Sequence, residues 1–173
     1  MSIYTYQTEP LTDFNKPENI KGYQEGLSIV QGYMGNHYDL IINGKRIKTE
    51  KQMESLNPSN FKEVVGTISQ ASIAETDLAI ASALSAFETW KYTDAKVRAD
   101  VLFKSAAILR RRKFEFSALM TKEAGKPWPE ADADVAEAID FLEYYGIQML
   151  SLERIDDVVL SRRNLERNQY KYK

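Results

Sequence analysis

Residues 123–146 read EAGKPWPEADADVAEAIDFLEYYG, and seven of these 24 side chains are carboxylates. The apolar residues between them nevertheless recur at helical spacing. Advancing 100 degrees per residue from Glu137 gathers Val135, Ile139, Leu142 and Met149 on the far side, where Gly146 leaves room for a close neighbour. Glu137 itself shares a side with Ala133, Phe141, Tyr144 and Gln148. Asp132, Asp140 and Glu143 fall on the flanks, within expected reach of water. The stretch is therefore predicted to be a helix, with Pro127 and Pro129 tolerable only at its start. A carboxylate among aromatic rings must find a cation or a donor, or become neutral. Two readings stay open for Glu137: a salt bridge to an arginine of a neighbouring helix, or a ligand site.

Upstream, the periodicity divides the chain. Residues 13–35 predict a weak helix through Ile20, Tyr23, Leu27 and Val30, with Gly22 and Gly26 lowering its stability and Gly32 and Gly35 ending it. YDLIINGKRIKT (38–49) predicts a hairpin around Asn43-Gly44. A turn at Asn57-Pro58 and a strand through residues 64–68 follow. From Ser72 the period is helical, and Ser72 with Glu75 forms a capping box. Residues 93–125 read as one long helix stopped by Gly125 and Pro127. The end, ERNQYKYK (166–173), alternates like a strand lacking a partner.

Composition narrows the chemistry. A net charge of −2 over 173 residues gives no reason to expect nucleic acid. The run Arg110 to Lys113 would spread around a helix, which favours a solvated, partly salt-bridged surface. Cysteine is absent, so no thiolate nucleophile, thiolate metal site or disulfide exists in the chain. The sole histidine, His37, lies beside a turn and is expected in a solvated loop. No G-x-G-x-x-G or G-K-[ST] loop can be assembled. Neither a membrane span nor a signal peptide is legible, so the cytoplasm is the expected location.

NPSNFKEVVG (57–66), AFETWK (86–91), RRRK (110–113), KEAGKPWPEADADVAEAIDFLEYY (122–145) and ERNQYKY (166–172) together resemble the N-terminal part of an aldehyde dehydrogenase, within the 1-pyrroline-5-carboxylate dehydrogenase branch. The resemblance implies an α/β family fold, this segment being mostly helical with N-terminal β-hairpins and a terminal strand. Residues 1–165 would belong to the dinucleotide-binding domain, and 166–173 would begin an oligomerisation hairpin in a homo-oligomer. It further implies NAD-dependent oxidation of L-glutamate 5-semialdehyde to L-glutamate, through a cysteine thiolate, a hemithioacetal that yields hydride, and a thioester hydrolysed by a glutamate-activated water. The W-N-F-P, F-x-G-S, E-x-G-G and Q-x-C motifs of that family are missing. The chain thus reads as a truncated or partial piece with no catalytic residue, no cofactor bound on its own, and apolar surface left uncovered. One role carries over: the glutamate of A-E-A-I-D-F, which helps hold the substrate's amino end in that branch, falls on Glu137. The competing reading is a non-catalytic helical interaction module or a decoy subunit.

Overall fold

The computed structural model describes the backbone of residues 6–169 and the side chains of residues 6–152. Helix α1 (Pro17–Gln31) precedes five strands, β1 (Asn36–Tyr38), β2 (Leu40–Ile42), β3 (Lys45–Ile47), β4 (Gln52–Asn57) and β5 (Asn60–Ser69). Four helices follow: α2 (Ile73–Trp90), α3 (Ala95–Arg111), α4 (Lys113–Ala124) and α5 (Trp128–Gln169).

Turn chemistry explains the strands. Asn43 and Gly44 both take positive φ, 52° and 70°, the pair of values that closes a two-residue hairpin between antiparallel β2 and β3. The central strand of the second sheet is β5, paired antiparallel to β4 through the Pro58-Ser59 turn and parallel to β1. That parallel pairing corrects the reading of His37. The residue lies in β1 opposite Thr67, half-buried, with Nδ1 2.9 Å from Thr67 Oγ1 and Nε2 3.1 Å from Ser69 Oγ. A pairing across thirty residues leaves no local trace, so the neighbouring turn suggested a loop.

The helices build two small cores. In one, Tyr23 of α1 stacks on Trp128 at 4.4 Å and 18°, with Phe14, Val30 and Ala118 around them. Its buried hydroxyl donates to the Ser117 carbonyl at 2.9 Å, so the ring enters the core without an orphaned polar atom. In the other, Ala106, Val135 and Ile139 join α3 to α5, with Leu109, Phe116 and Leu142 beside them. This is the predicted stripe, and Gly146 fits its expected role: a Cβ there would lie 2.6 Å from the Phe103 ring.

The long helix expected over residues 93–125 is two helices. Arg112, at φ −109° and ψ 22°, ends α3 and caps the start of α4. No glycine or proline marks the break. Its packing consequence is that Phe114 meets α1 where Gly22 and Gly26 leave no side chain. A Cβ on Gly26 would sit 2.6 Å from the Phe114 carbonyl oxygen. The two glycines are thus contact points, and the helix is weak in isolation because the contact requires it. Gly26→Ala gains about 1 kcal/mol of helix propensity, yet the backbone clash should leave a net loss of about 1–3 kcal/mol. Urea denaturation measures it, and an unchanged midpoint would show that α1 and α4 do not touch there.

At the other end, α5 extends to Gln169, so a helix takes Asn168 and Gln169 where a strand was expected; a helix satisfies its own backbone without a partner strand. Residues 170–173 lie outside the described residues.

Candidate functional site

Around α5 the acidic residues divide by partner. Asp132, expected on a wet flank, is 1% exposed. Its two oxygens accept from Thr12 N at 2.8 Å, Thr12 Oγ1 at 2.7 Å and Lys113 Nζ at 3.0 Å. Three donors, one of them charged, are what allow a carboxylate to be buried. Asp140 accepts from Glu9 N at 2.7 Å, Glu143 pairs with Arg110 at 2.7 Å, and Asp134 pairs with Lys126. Helix periodicity alone could not show these bonds, because Thr12 and Glu9 lie more than a hundred residues away.

Three of the four residues of the basic run are engaged in the same way. Arg110 bridges Glu9 and Glu143, Arg112 holds Glu115, and Lys113 reaches Asp132 and the Pro10 carbonyl. An ion-paired helix surface was the expectation. The structure agrees for Arg110 and Arg112, whereas Lys113 is largely buried. The Arg112 pair, then the Tyr33 hydroxyl 2.8 Å away, bring the Glu115 carboxyl down to about 2 from 4.5. Burial first, and then Glu115, push Tyr33 up to about 12 from 10.

The signs follow. A depressed carboxyl contributes stability that is complete above the unfolded pKa and is lost as pH falls from about 4.5 towards 2. A raised phenol contributes stability that is complete below 10 and is lost as pH rises towards 12. Glu115→Gln should therefore flatten the acid limb of the stability–pH curve below pH 4.5, and Tyr33→Phe the alkaline limb above 10. Chemical denaturation at stepped pH checks both. Acid limbs that superimpose in the parent and Glu115→Gln would exclude the coupling.

Glu137, like Glu130 at the start of the helix, makes none of these contacts. It is exposed, and no hydrogen bond or ion pair engages it among the described residues. Of the two arrangements expected for it, the salt bridge does not form: no guanidinium clasps it, and the rings beside it do not enclose it. Phe141 and Tyr144, at i+4 and i+7, are 51% and 42% exposed. Phe141 stacks on Tyr145 at 6.0 Å, and Tyr144 packs edge-to-face with Tyr6 at 5.6 Å. A bare carboxylate thus stands at the margin of an uncovered aromatic ledge. Such a ledge can take a cation: the carboxylate offers charge-assisted hydrogen bonds and the ring faces offer their negative quadrupole.

More uncovered apolar surface lies close by. Helix α2 buries none of its residues, although its capping box forms as predicted, with Ser72 N donating to Glu75 at 2.7 Å and Ala74 N donating to Ser72 Oγ at 3.1 Å. Leu84 and Phe87 stand in solvent. Trp90, Val101, Leu102, Tyr145 and Met149 line a groove of about 380 Å³ between α2, α3 and α5. The expectation of uncovered apolar surface is thereby met. No group of His, Cys, Asp and Glu suited to a metal ion occurs among the described residues, and no helix among them is long and apolar enough to cross a membrane.

Comparison with known proteins gives these surfaces a context. Residues 46–170 match the aldehyde dehydrogenase family. The chain is 52% identical over 167 residues to 1-pyrroline-5-carboxylate dehydrogenase of Bacillus pumilus, covering 96% of this chain and 32% of that protein. It is 49% identical over 170 residues to the Bacillus cytotoxicus enzyme of the same name, covering 98% and 33%. It superposes on a solved 1-pyrroline-5-carboxylate dehydrogenase from Thermus with bound NAD at a TM-score of 0.81 and 44% identity, over 84% of this chain and 28% of that one. The chain spans about a third of the length of the curated relatives it matches. With the helical layer, the small mixed sheet and the sequence all matching, the chain belongs to the aldehyde dehydrogenase family.

Proposed function

We propose that this chain works as part of an NAD-dependent dehydrogenase that oxidises L-glutamate 5-semialdehyde to L-glutamate, and that Glu137 receives the amino end of the substrate. The observation that carries the proposal is the unpartnered Glu137 carboxylate beside the exposed Phe141 and Tyr144 rings. Solvation explains the acid but not the rings, whereas a seat for an ammonium group explains both. The names of the similar proteins support the substrate class, and the NAD-bound relative supports the cofactor.

The residues here divide the work. With no cysteine, these 173 residues supply no thiolate to attack an aldehyde, so turnover requires polypeptide of the kind that makes up the rest of the relatives. NAD, when bound, accepts the hydride. No phosphate-cradling glycine loop exists in this sequence, so no NAD contact is assigned to it. Its contribution is to hold α5 and present Glu137. A homo-oligomer and a cytoplasmic setting belong to the same reading, supported by the uncovered apolar faces and the cysteine-free composition.

A fusion tests this: the chain joined in register to the remaining two-thirds of the Bacillus pumilus relative. The fusion is expected to reduce NAD with L-glutamate 5-semialdehyde, and the 173-residue chain alone is not. A folded, NAD-binding fusion without turnover would favour the second reading, a non-catalytic interaction module, for which the wholly unburied α2 is the supporting observation.

A further inference from the structure

Residues 6–12 precede the family-matched region, which starts at residue 46, yet they are tied to its centre. They form no helix or strand, and an extended segment is fixed only by what its groups reach. Here they reach α5 and the end of α3. Glu9 N bonds Asp140, Thr12 bonds both oxygens of Asp132, and Arg110 joins the Glu9 carboxylate to Glu143. Asp132 and Asp140 lie on either side of Glu137 along the helix, so this strap grips α5 above and below that residue. At the start of the described segment the Tyr6 ring meets Tyr144 edge-on at 5.6 Å and 78°.

The strap runs down one flank of the ledge without covering it. Glu137 remains open, while the ring that borders it is held by Tyr6. The Asp132 contacts have an evident structural role, but the Tyr6–Tyr144 contact lies at the surface, at the edge of the ledge.

We propose that residues 6–12 are a positioning element for the Glu137 face of α5, in which Tyr6 sets the Tyr144 ring that borders the ammonium seat. The proposal rests on the reading of Glu137 given above. Tyr6 touches no reacting atom in this account; it acts through Tyr144.

The test uses the fused enzyme with Tyr6→Ala, Tyr6→Phe and Glu137→Ala, together with amide hydrogen exchange over residues 137–144 in the 173-residue chain. Tyr6→Ala should raise KM for L-glutamate 5-semialdehyde about threefold to tenfold, the range set by one aromatic pair. It should leave kcat and NAD affinity within about twofold, and Tyr6→Phe, which keeps the ring, should restore most of the loss. Exchange around Tyr144 should quicken in Tyr6→Ala. Unchanged KM in Tyr6→Ala, with KM raised in Glu137→Ala, would overturn the positioning role and leave the Glu137 reading intact. If Glu137→Ala has no effect, the Glu137 reading falls, and exchange decides the strap: quickened exchange supports its grip on α5, and unaltered exchange refutes it.

Discussion

Replacing Asp132 with alanine is expected to cost about 3–5 kcal/mol, a large share of the roughly 5–15 kcal/mol that holds a typical domain folded. The carboxylate is 1% exposed and satisfies three donors. Its removal leaves the Lys113 ammonium, itself only 12% exposed, without its buried counter-charge, and frees the Thr12 amide from α5. Asp132→Asn keeps the volume and some of the hydrogen bonding, so it should cost less, about 1–3 kcal/mol. The informative variant is Asp132→Asn with Lys113→Met. If the penalty is mainly an uncompensated charge, the double variant should be more stable than the sum of the single losses implies. Urea unfolding followed by circular dichroism measures these three and Lys113→Met alone, which completes the cycle. A Asp132→Ala chain within 1 kcal/mol of the parent would mean that water, not the strap, solvates this carboxylate.

In the fused enzyme, Glu137→Ala should lower kcat/KM for L-glutamate 5-semialdehyde by about tenfold to a hundredfold, the worth of a charge-assisted hydrogen bond. The loss should fall mainly on KM, because the amino end is remote from the aldehyde and its binding is common to ground and transition states. NAD affinity should not change, nor should the melting temperature of the 173-residue chain, where the side chain is exposed and no bond engages it among the described residues. Asp140→Ala provides the contrast, since Asp140 is engaged by Glu9 and is expected to act on stability before affinity. A Glu137→Ala enzyme with parental kinetics would remove this residue from the site.

What could be read from the sequence depended on how local its cause was. Asn43-Gly44, the Ser72–Glu75 box and the Val135, Ile139, Leu142 stripe are settled within a turn or two of chain, and each forms as predicted. The break at Arg112 and the burial of Asp132 are not local. The first accompanies the contact of Phe114 with α1, and the second is made by Thr12, 120 residues away. His37 was misplaced for the same reason, its partners lying on β5.

Glu137 shows how far periodicity reaches. The helical wheel placed it correctly with Phe141 and Tyr144, but shared sidedness is not enclosure. In this chain that side faces solvent. The substrate role came from the likeness of the A-E-A-I-D-F string to one branch of the family, and the geometry contributes the free carboxylate and the uncovered rings.

The most direct measurement is a structure of the fused enzyme with L-glutamate bound. The ligand's ammonium nitrogen is expected at hydrogen-bond distance, about 2.7–3.2 Å, from a Glu137 carboxylate oxygen, with the Phe141–Tyr144 ledge closed over by the added polypeptide. An ammonium group held elsewhere, with Glu137 in solvent or paired to an arginine, would contradict it.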